Sequence, residues 1–127
     1  MLDTTALIDL LRRRPAAVAV FRSLVQNDFE ITTSAINVGE VYACQRRGEE
    51  GATLALLGSI LCFDLTRSGA QRAGEMVAAR RRAGRTHSLD DMKIAATAIE
   101  QGCLLLTDNI KDFDVPGVQF YPVAATE

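Results

Sequence analysis

Acidic side chains beside apolar segments are the residues best suited to chemistry in this sequence. Each lies near a stretch of hydrophobic or β-branched residues, where a strand or a helix would begin or end. They are Asp3, Glu40, Asp91, Asp108 and Asp112, with the amide of Asn109 among them. Side chains of this kind could either cap helices or hold a metal ion through their oxygens.

A shared site for these acids would require a cation. Two carboxylates ~4 Å apart repel each other by about 4 kcal/mol at an effective dielectric constant of 20. A divalent ion reverses the sign of that interaction, and it can also orient a phosphodiester and activate a water molecule. Histidine and cysteine are nearly absent from the set, which argues against zinc and favours Mg²⁺ or Mn²⁺.

Each acid also has a simpler structural explanation. Asp3 could cap the helix that follows it, and Glu40 could be a solvated helix residue. Asp90 and Asp91 would each gain about 0.3–1 kcal/mol from the first turn of a helix that Ser88 caps. These explanations cover the residues one at a time, but they do not cover the order and placement of the whole set.

Strands and helices are predicted to alternate along the chain. The predicted strands are residues 1–2, "FEITT", "ILCFDL", "CLLLT" and "VQFYPV". The predicted helix caps are Thr4 or Thr5, Ser34, Thr66 or Ser68, and Ser88, and the helix after Ser34 is expected to reach Arg47. This alternation indicates an α/β fold, a three-layer α/β/α sandwich with a central parallel sheet of four to five strands. Ligands bind at the carboxyl ends of such strands, so the acids converge there if the first and fourth strands are neighbours.

The length and composition of the sequence fit one domain of ordinary size, which is predicted to span residues 1–127. No apolar run approaches the roughly 20 residues of a membrane span, and the first residues lack the basic start of a secretory signal. We therefore expect a cytoplasmic protein without membrane attachment.

Its cysteines, Cys44, Cys62 and Cys103, are expected to be free thiols, mostly buried. The net charge of −2 hides arginine clusters, including Arg80, Arg81, Arg82 and Arg85, that could contact phosphates.

Four segments resemble the PIN-domain family and, within it, the VapC-type toxins of toxin–antitoxin pairs. They are "LDTTALIDLL", "TTSAINVGEVYA", "SLDDMKIAATAIEQGCLLLTDNIKDF" and "VPGVQFYPV". The resemblance implies a Mg²⁺- or Mn²⁺-dependent ribonuclease with a parallel sheet between helices. It places Asp3, Glu40 and Asp91 at the first three acidic positions of the family.

The fourth acidic position departs from the family pattern. Asn109 stands where many members have aspartate, so it could bind a metal or place a water but adds no charge. Asp108 or Asp112 could compensate for that missing charge. Thr4 and Thr107 are expected, from the resemblance, to orient carboxylates or water with their hydroxyl groups.

The resemblance implies the toxin component of a type II toxin–antitoxin system. Such a protein would cleave structured RNA by attack of a metal-activated water on a phosphodiester. A VapB-like antitoxin would silence it, and a homodimer is expected. One alternative is a PIN-fold binding or assembly module whose catalysis is weakened. Another is a phosphoryl-transfer domain, against which the absence of a DxDxT motif after the first strand argues.

Overall fold

Helices and short parallel strands alternate along residues 1–122, the part of the chain that the computed structural model describes. The helices are α1 (Thr4–Leu11), α2 (Pro15–Gln26), α3 (Ala35–Ala43), α4 (Glu50–Gly58), α5 (Arg67–Arg82) and α6 (Leu89–Glu100). The strands are β1 (Thr32–Ser34), β2 (Leu61–Phe63), β3 (Leu104–Leu105) and β4 (Gln119–Phe120). A 3₁₀ turn covers Ile110–Asp112. None of the helices described is long and apolar enough to cross a membrane.

The amino-terminal segment lies at the centre of the sheet and joins its two halves. β1 pairs with β2 and β3 pairs with β4, both in parallel. The backbone N–H of Leu2 donates to the carbonyl of Thr32 at 2.8 Å, and that of Leu106 donates to the carbonyl of Met1 at 2.9 Å. The resulting order is β2, β1, the amino-terminal segment, β3 and β4. This confirms the predicted parallel sheet, and it shows that the first and fourth strands are neighbours, which is the condition for the acids to converge.

Two apolar clusters cover opposite faces of this sheet. Met1 belongs to a cluster with residues of α5 and α6, including Ala73 and Met92. Leu2 belongs to a second cluster with residues of α1 and α2, including Leu7 and Leu24. Successive side chains of a strand point to opposite faces, so the clusters sandwich the sheet. The arrangement confirms the predicted three-layer α/β/α architecture.

Capping side chains fix where the helices at the carboxyl edge begin. Ser34 and Ser88 accept hydrogen bonds at the starts of α3 and α6, as predicted. Of the caps considered for α1, Thr4 and Thr5 were wrong, and the alternative that Asp3 caps this helix is confirmed. A carboxylate at this position also benefits from the positive end of the helix dipole.

The predicted end of α3 was also wrong. The helix ends at Ala43 instead of Arg47, and the backbone N–H of Cys44 caps it. The Cys44 carbonyl accepts a hydrogen bond from Arg12 Nη2 at 3.2 Å, which replaces a further helical partner. The last predicted strand is present as β4, and Val123 lies outside the described residues.

The expectation that the cysteines are mostly buried was wrong. Cys44 and Cys62 are exposed, and Cys103 is half-buried. All three are free thiols, as predicted.

Candidate active site

A cavity of about 350 Å³ opens at the carboxyl edge of the sheet and collects most of the predicted site. It is lined by Asp3, Thr4, Thr5, Glu40, Ala43, Cys44, Asp91, Ile94, Asn109, Asp112 and Phe113. These residues come from the start of α1, the second half of α3, the first turns of α6 and the segment around the 3₁₀ turn. Segments far apart in sequence thus place acids around one opening, which we call the acidic pocket.

Asp3 serves both the local fold and the acidic pocket. Its side chain is only 3% exposed, and its Oδ1 accepts the Ala6 N–H at 2.9 Å as the cap of α1. Burial raises the pKa of Asp3 above the ordinary aspartate value, hydrogen bonds from Thr107 and Ala6 oppose this shift, and the charges of Asp108 and Glu40 add to it. Asp3 is therefore a buried carboxyl group whose charge the surrounding acids disfavour.

Glu40 is held by a chain of hydrogen bonds that runs back to the start of its own helix. The hydroxyl of Thr4 donates to Glu40 Oε1. Asn37 Nδ2 donates to Thr4 Oγ1 at 3.1 Å, and Ser34 Oγ donates to Asn37 Oδ1 at 2.6 Å. The prediction of Thr4 as an orienting hydroxyl agrees with this contact. Sequence reasoning missed Asn37, although its position three residues before Glu40 places both on one face of a helix.

Asp91 enters the pocket from the first turn of α6. Its backbone N–H donates to the capping hydroxyl of Ser88 at 2.9 Å. Burial raises the pKa of Asp91, a hydrogen bond with Ser88 opposes the shift, and the charges of Asp112, Glu40 and Asp90 add to it. Burial and nearby acids therefore disfavour the charged forms of both Asp91 and Asp3, and a positive charge in the pocket would stabilise both carboxylates.

The segment after β3 divides its polar residues between two openings. Asn109 and Asp112 line the acidic pocket, as predicted. Asp108 instead borders a separate, largely apolar cleft of about 260 Å³ between α1 and α2, although its charge still acts on Asp3. Thr107 lies beneath the pocket, where it contacts Asp3 and accepts the Asn109 N–H at 3.0 Å.

The donor set of the pocket suits a hard divalent cation. The lining side chains of Asp3, Glu40, Asp91, Asn109 and Asp112 offer oxygen ligands, whereas no imidazole lines the pocket and Cys44 adds a single thiol. Within residues 1–122, no three Asp, Glu, His or Cys side chains stand close enough to form a ready-made ligand cluster. Mg²⁺ keeps several waters and takes only one or two carboxylates, so the pocket fits such an ion without that cluster.

The predicted arginine cluster lies outside the acidic pocket. Arg80 donates from Nη2 to the Asp114 carbonyl at 2.8 Å and borders another groove, next to Val115. Arg81, Arg82 and Arg85 are exposed. Residues 83–88 link the end of α5 to the start of α6, and the two helices pack together. The cluster therefore lies at the same end of the helix pair as the first turn of α6.

The fold and the pocket define a class of α/β/α protein with an acidic site at the carboxyl edge of a parallel sheet. The PIN domain family model matches residues 1–117, and the chain belongs to that family. It is 34% identical over 115 residues to "Ribonuclease VapC19" of Mycobacterium tuberculosis, covering 89% of this chain and 90% of that protein. The family expected from the sequence motifs is thereby confirmed.

Solved structures agree with this assignment. A toxin–antitoxin complex from Klebsiella pneumoniae has a chain that is 27% identical with a TM-score of 0.75, covering 92% of each chain. VapBC2 from Rickettsia felis, bound to a DNA fragment from its promoter, gives a TM-score of 0.78 at 24% identity, covering 95% of this chain and 96% of that chain. The second likeness bears on the fold alone.

Proposed function

We propose that this protein is a metal-dependent endoribonuclease and the toxin component of a type II toxin–antitoxin system. The observation that carries the proposal is the convergence of Asp3, Glu40 and Asp91 on one pocket from separate elements. Ribonuclease activity is the activity named for the Mycobacterium tuberculosis relative that matches nearly the whole chain. The bond broken would be an RNA phosphodiester, hydrolysed by water.

Mg²⁺ or Mn²⁺ is the cofactor that we propose for the pocket. Asp3 and Asp91 would hold the ion, and Glu40 would bind it directly or through water. When bound, such an ion lowers the pKa of water and stabilises negative charge on a phosphodiester. The raised pKa values of Asp3 and Asp91 support this assignment, because a cation would relieve the repulsion that contributes to both shifts.

The remaining pocket residues would orient the carboxylates and the reacting water. Thr4 holds one oxygen of Glu40, and Thr107 contacts Asp3. The Asn109 amide can accept or donate a hydrogen bond, so it would position a water without adding negative charge. Asp112 supplies a further carboxylate at the rim, whereas Asp108 would act on Asp3 only through its charge.

RNA would approach across the arginine cluster, which lies at the same end of the α5–α6 pair as Asp91. We assign phosphate binding to Arg80, Arg81, Arg82 and Arg85, at the end of α5. A local basic surface suffices for this role despite the net charge of −2, since phosphate contacts depend on nearby charge. A structured RNA is the substrate class we propose, because a folded RNA could contact the pocket and the cluster together.

The partner that we propose is a VapB-like antitoxin that silences the nuclease. The solved toxin–antitoxin complex from Klebsiella pneumoniae, whose chain matches this one over 92% of its length, supports that assignment. We further propose that residues 1–127 form a single PIN domain, that the protein forms a homodimer, and that it acts in the cytoplasm without membrane attachment.

A catalytically weakened binding module is the second candidate. Asn109 at the fourth acidic position favours it. The two candidates differ in whether the purified chain cleaves RNA. Four carboxylates in one pocket, those of Asp3, Glu40, Asp91 and Asp112, favour the nuclease.

The test is cleavage of total cellular RNA by antitoxin-free protein in Mn²⁺, Mg²⁺ or EDTA. Asp91→Asn is the informative variant, and Asp64→Asn is the matched control, since Asp64 is an exposed aspartate after β2 that does not line the pocket. Discrete fragments that require metal, persist in the control and vanish in Asp91→Asn would support the nuclease. Wild-type protein that binds metal but cuts no RNA would support the binding module.

A further inference from the structure

We propose that Asn37 is a positioning residue that sets the orientation of the Glu40 carboxylate through Thr4. This inference rests on the proposed nuclease function and adds a residue that the acidic motif does not contain. Asn37 is fully buried and touches neither the acidic pocket nor solvent. Its side chain nevertheless connects the cap of α3 to the hydroxyl that holds Glu40.

The chemistry of the groups gives the hydrogen-bond chain a single direction. An ionised Glu40 can only accept, so Thr4 must use its one proton for Glu40 Oε1. Thr4 then needs a donor on its other side, and Asn37 supplies one from Nδ2 at 3.1 Å. The Asn37 amide orientation is fixed at its other end, where Oδ1 accepts from Ser34.

Ser34 is the last member of the hydrogen-bond chain, because its hydroxyl oxygen accepts a backbone N–H and its proton is free to be donated. Its Oγ accepts the Asn37 N–H at 3.2 Å as the N-cap of α3, and its proton goes to Asn37 Oδ1 at 2.6 Å. Ser34 is 1% exposed and Asn37 is 0% exposed, so water does not compete for these bonds. The helix start that sequence patterns predict is thus also the anchor of a catalytic side chain.

The hydrogen-bond chain matters because a glutamate side chain such as that of Glu40 has several rotatable bonds that must be ordered. Ordering a glutamate opposes the entropy of its rotatable bonds, and a fixed donor on one oxygen reduces that loss when the ion binds. Oε1 is engaged by Thr4, which leaves Oε2 for the pocket. Groups that orient ligands in this way usually change metal affinity or activity by about 10- to 100-fold when they are removed.

The test is a double-mutant cycle with Mn²⁺ affinity of the metal-free protein as its main readout. Asn37→Leu and Thr4→Val each delete one link, and Thr4→Ser keeps the hydroxyl as a conservative variant. Each is measured alone and in a Glu40→Gln background. Thr53→Val is the matched control, because Thr53 is a buried threonine whose hydroxyl donates to a backbone carbonyl outside the pocket.

We expect Asn37→Leu and Thr4→Val each to weaken Mn²⁺ binding by about 10-fold, with Thr4→Ser and Thr53→Val close to wild type. In the Glu40→Gln background, the further loss should stay within about twofold, because the link then has no carboxylate to hold. Turnover of RNA should fall with the affinity for Mn²⁺, while the KM for RNA stays near the wild-type value.

Other results would overturn the inference. A folded Asn37→Leu variant with wild-type Mn²⁺ affinity would do so, and so would a loss that persists in full in the Glu40→Gln background. If Asn37→Leu fails to fold, the Thr4→Val pair decides by the same criteria. Wild-type protein that neither binds Mn²⁺ nor cleaves RNA would overturn the proposed function and this inference together, whereas binding with additive effects would overturn the inference alone.

Discussion

Asp3→Asn should make the metal-free protein more stable while abolishing its nuclease activity. The amide has the shape of the carboxyl group, and its Oδ1 can still accept the Ala6 N–H that caps α1. Asparagine is as good an N-cap as aspartate, so the helix start should keep its stability. The substitution removes the charge, which burial and the neighbouring acids Asp108 and Glu40 disfavour, and it replaces one of the two oxygens that can accept the Thr107 hydroxyl by a donor.

The expected gain in the free energy of unfolding is about 0.5–2 kcal/mol at pH 7 in EDTA, a range typical of stabilising changes at destabilised functional sites. Asp3→Ala is the matched comparison, because it removes the same charge and also the cap. It should be about 1 kcal/mol less stable than Asp3→Asn. The difference between the two variants measures the cap, and the difference between Asp3→Asn and wild type measures the charge together with the Thr107 contact.

The gain should also depend on pH with a defined sign. The pKa of Asp3 lies above the ordinary value of 3.8, so the folded state binds this proton more tightly than the unfolded chain. Wild-type stability therefore falls relative to Asp3→Asn as the pH rises from 3.8 through the raised pKa. The difference between the two proteins should be largest above that window, at neutral pH.

Urea denaturation followed by circular dichroism measures these differences directly. Titrations at several pH values between acid and neutral, with EDTA and then with Mg²⁺, give the free energies required. Added Mg²⁺ should stabilise the wild type more than Asp3→Asn, since a ligand of the folded state adds stability by mass action. If Asp3→Asn is less stable than wild type at pH 7 in EDTA, the Asp3 charge is not destabilising and the electrostatic account of the pocket is wrong.

Three further predictions concern the elements around the pocket. Ser88→Ala should lower the free energy of unfolding by about 1 kcal/mol and reduce RNA cleavage, because it removes the cap that holds the Asp91 backbone. Urea titration and a cleavage assay measure the two effects, and unchanged stability would contradict the role of Ser88 as the cap of α6. Gly117→Ala should lower the free energy of unfolding by about 1 kcal/mol or more in the same titration, since the φ of Gly117 is +97° and a Cβ there would lie 3.3 Å from Ile99 Cδ1. An unchanged free energy of unfolding would show that the loop adapts to the added methyl group. Arg81→Ala should reduce the slope of log binding constant against log salt by about 0.7 for a single-stranded RNA, measured by filter binding, and an unchanged slope would exclude a phosphate contact.

The convergence of the acids was predictable because it follows from strand order. Asp3 and Asn109 follow neighbouring strands of a parallel sheet, and Asp91 belongs to the first turn of a helix whose cap is visible in sequence. Parallel strands share a carboxyl edge, so their trailing residues meet there. No side-chain geometry was needed for that conclusion.

Features that depend on tertiary contacts were not predictable. Asn37 reads in sequence as an ordinary polar helix residue, and only its contact with Thr4 gives it a role. Asp108 and Asn109 are neighbours in sequence, but the backbone after β3 directs one to the apolar cleft and the other to the acidic pocket. The early end of α3 is accompanied by a hydrogen bond from Arg12, at the end of α1, to the Cys44 carbonyl.

The most direct test of a metal site in the acidic pocket is a crystal structure of the protein with Mn²⁺, with diffraction data collected at the manganese absorption edge. We expect an anomalous difference peak in the pocket from an ion bound by Asp3 and Asp91, with Glu40 as a ligand or one water away. The same experiment on Asp91→Asn should give a weaker peak or none. An ion bound only elsewhere on the chain, or a wild-type pocket empty at a concentration that supports RNA cleavage, would contradict the account.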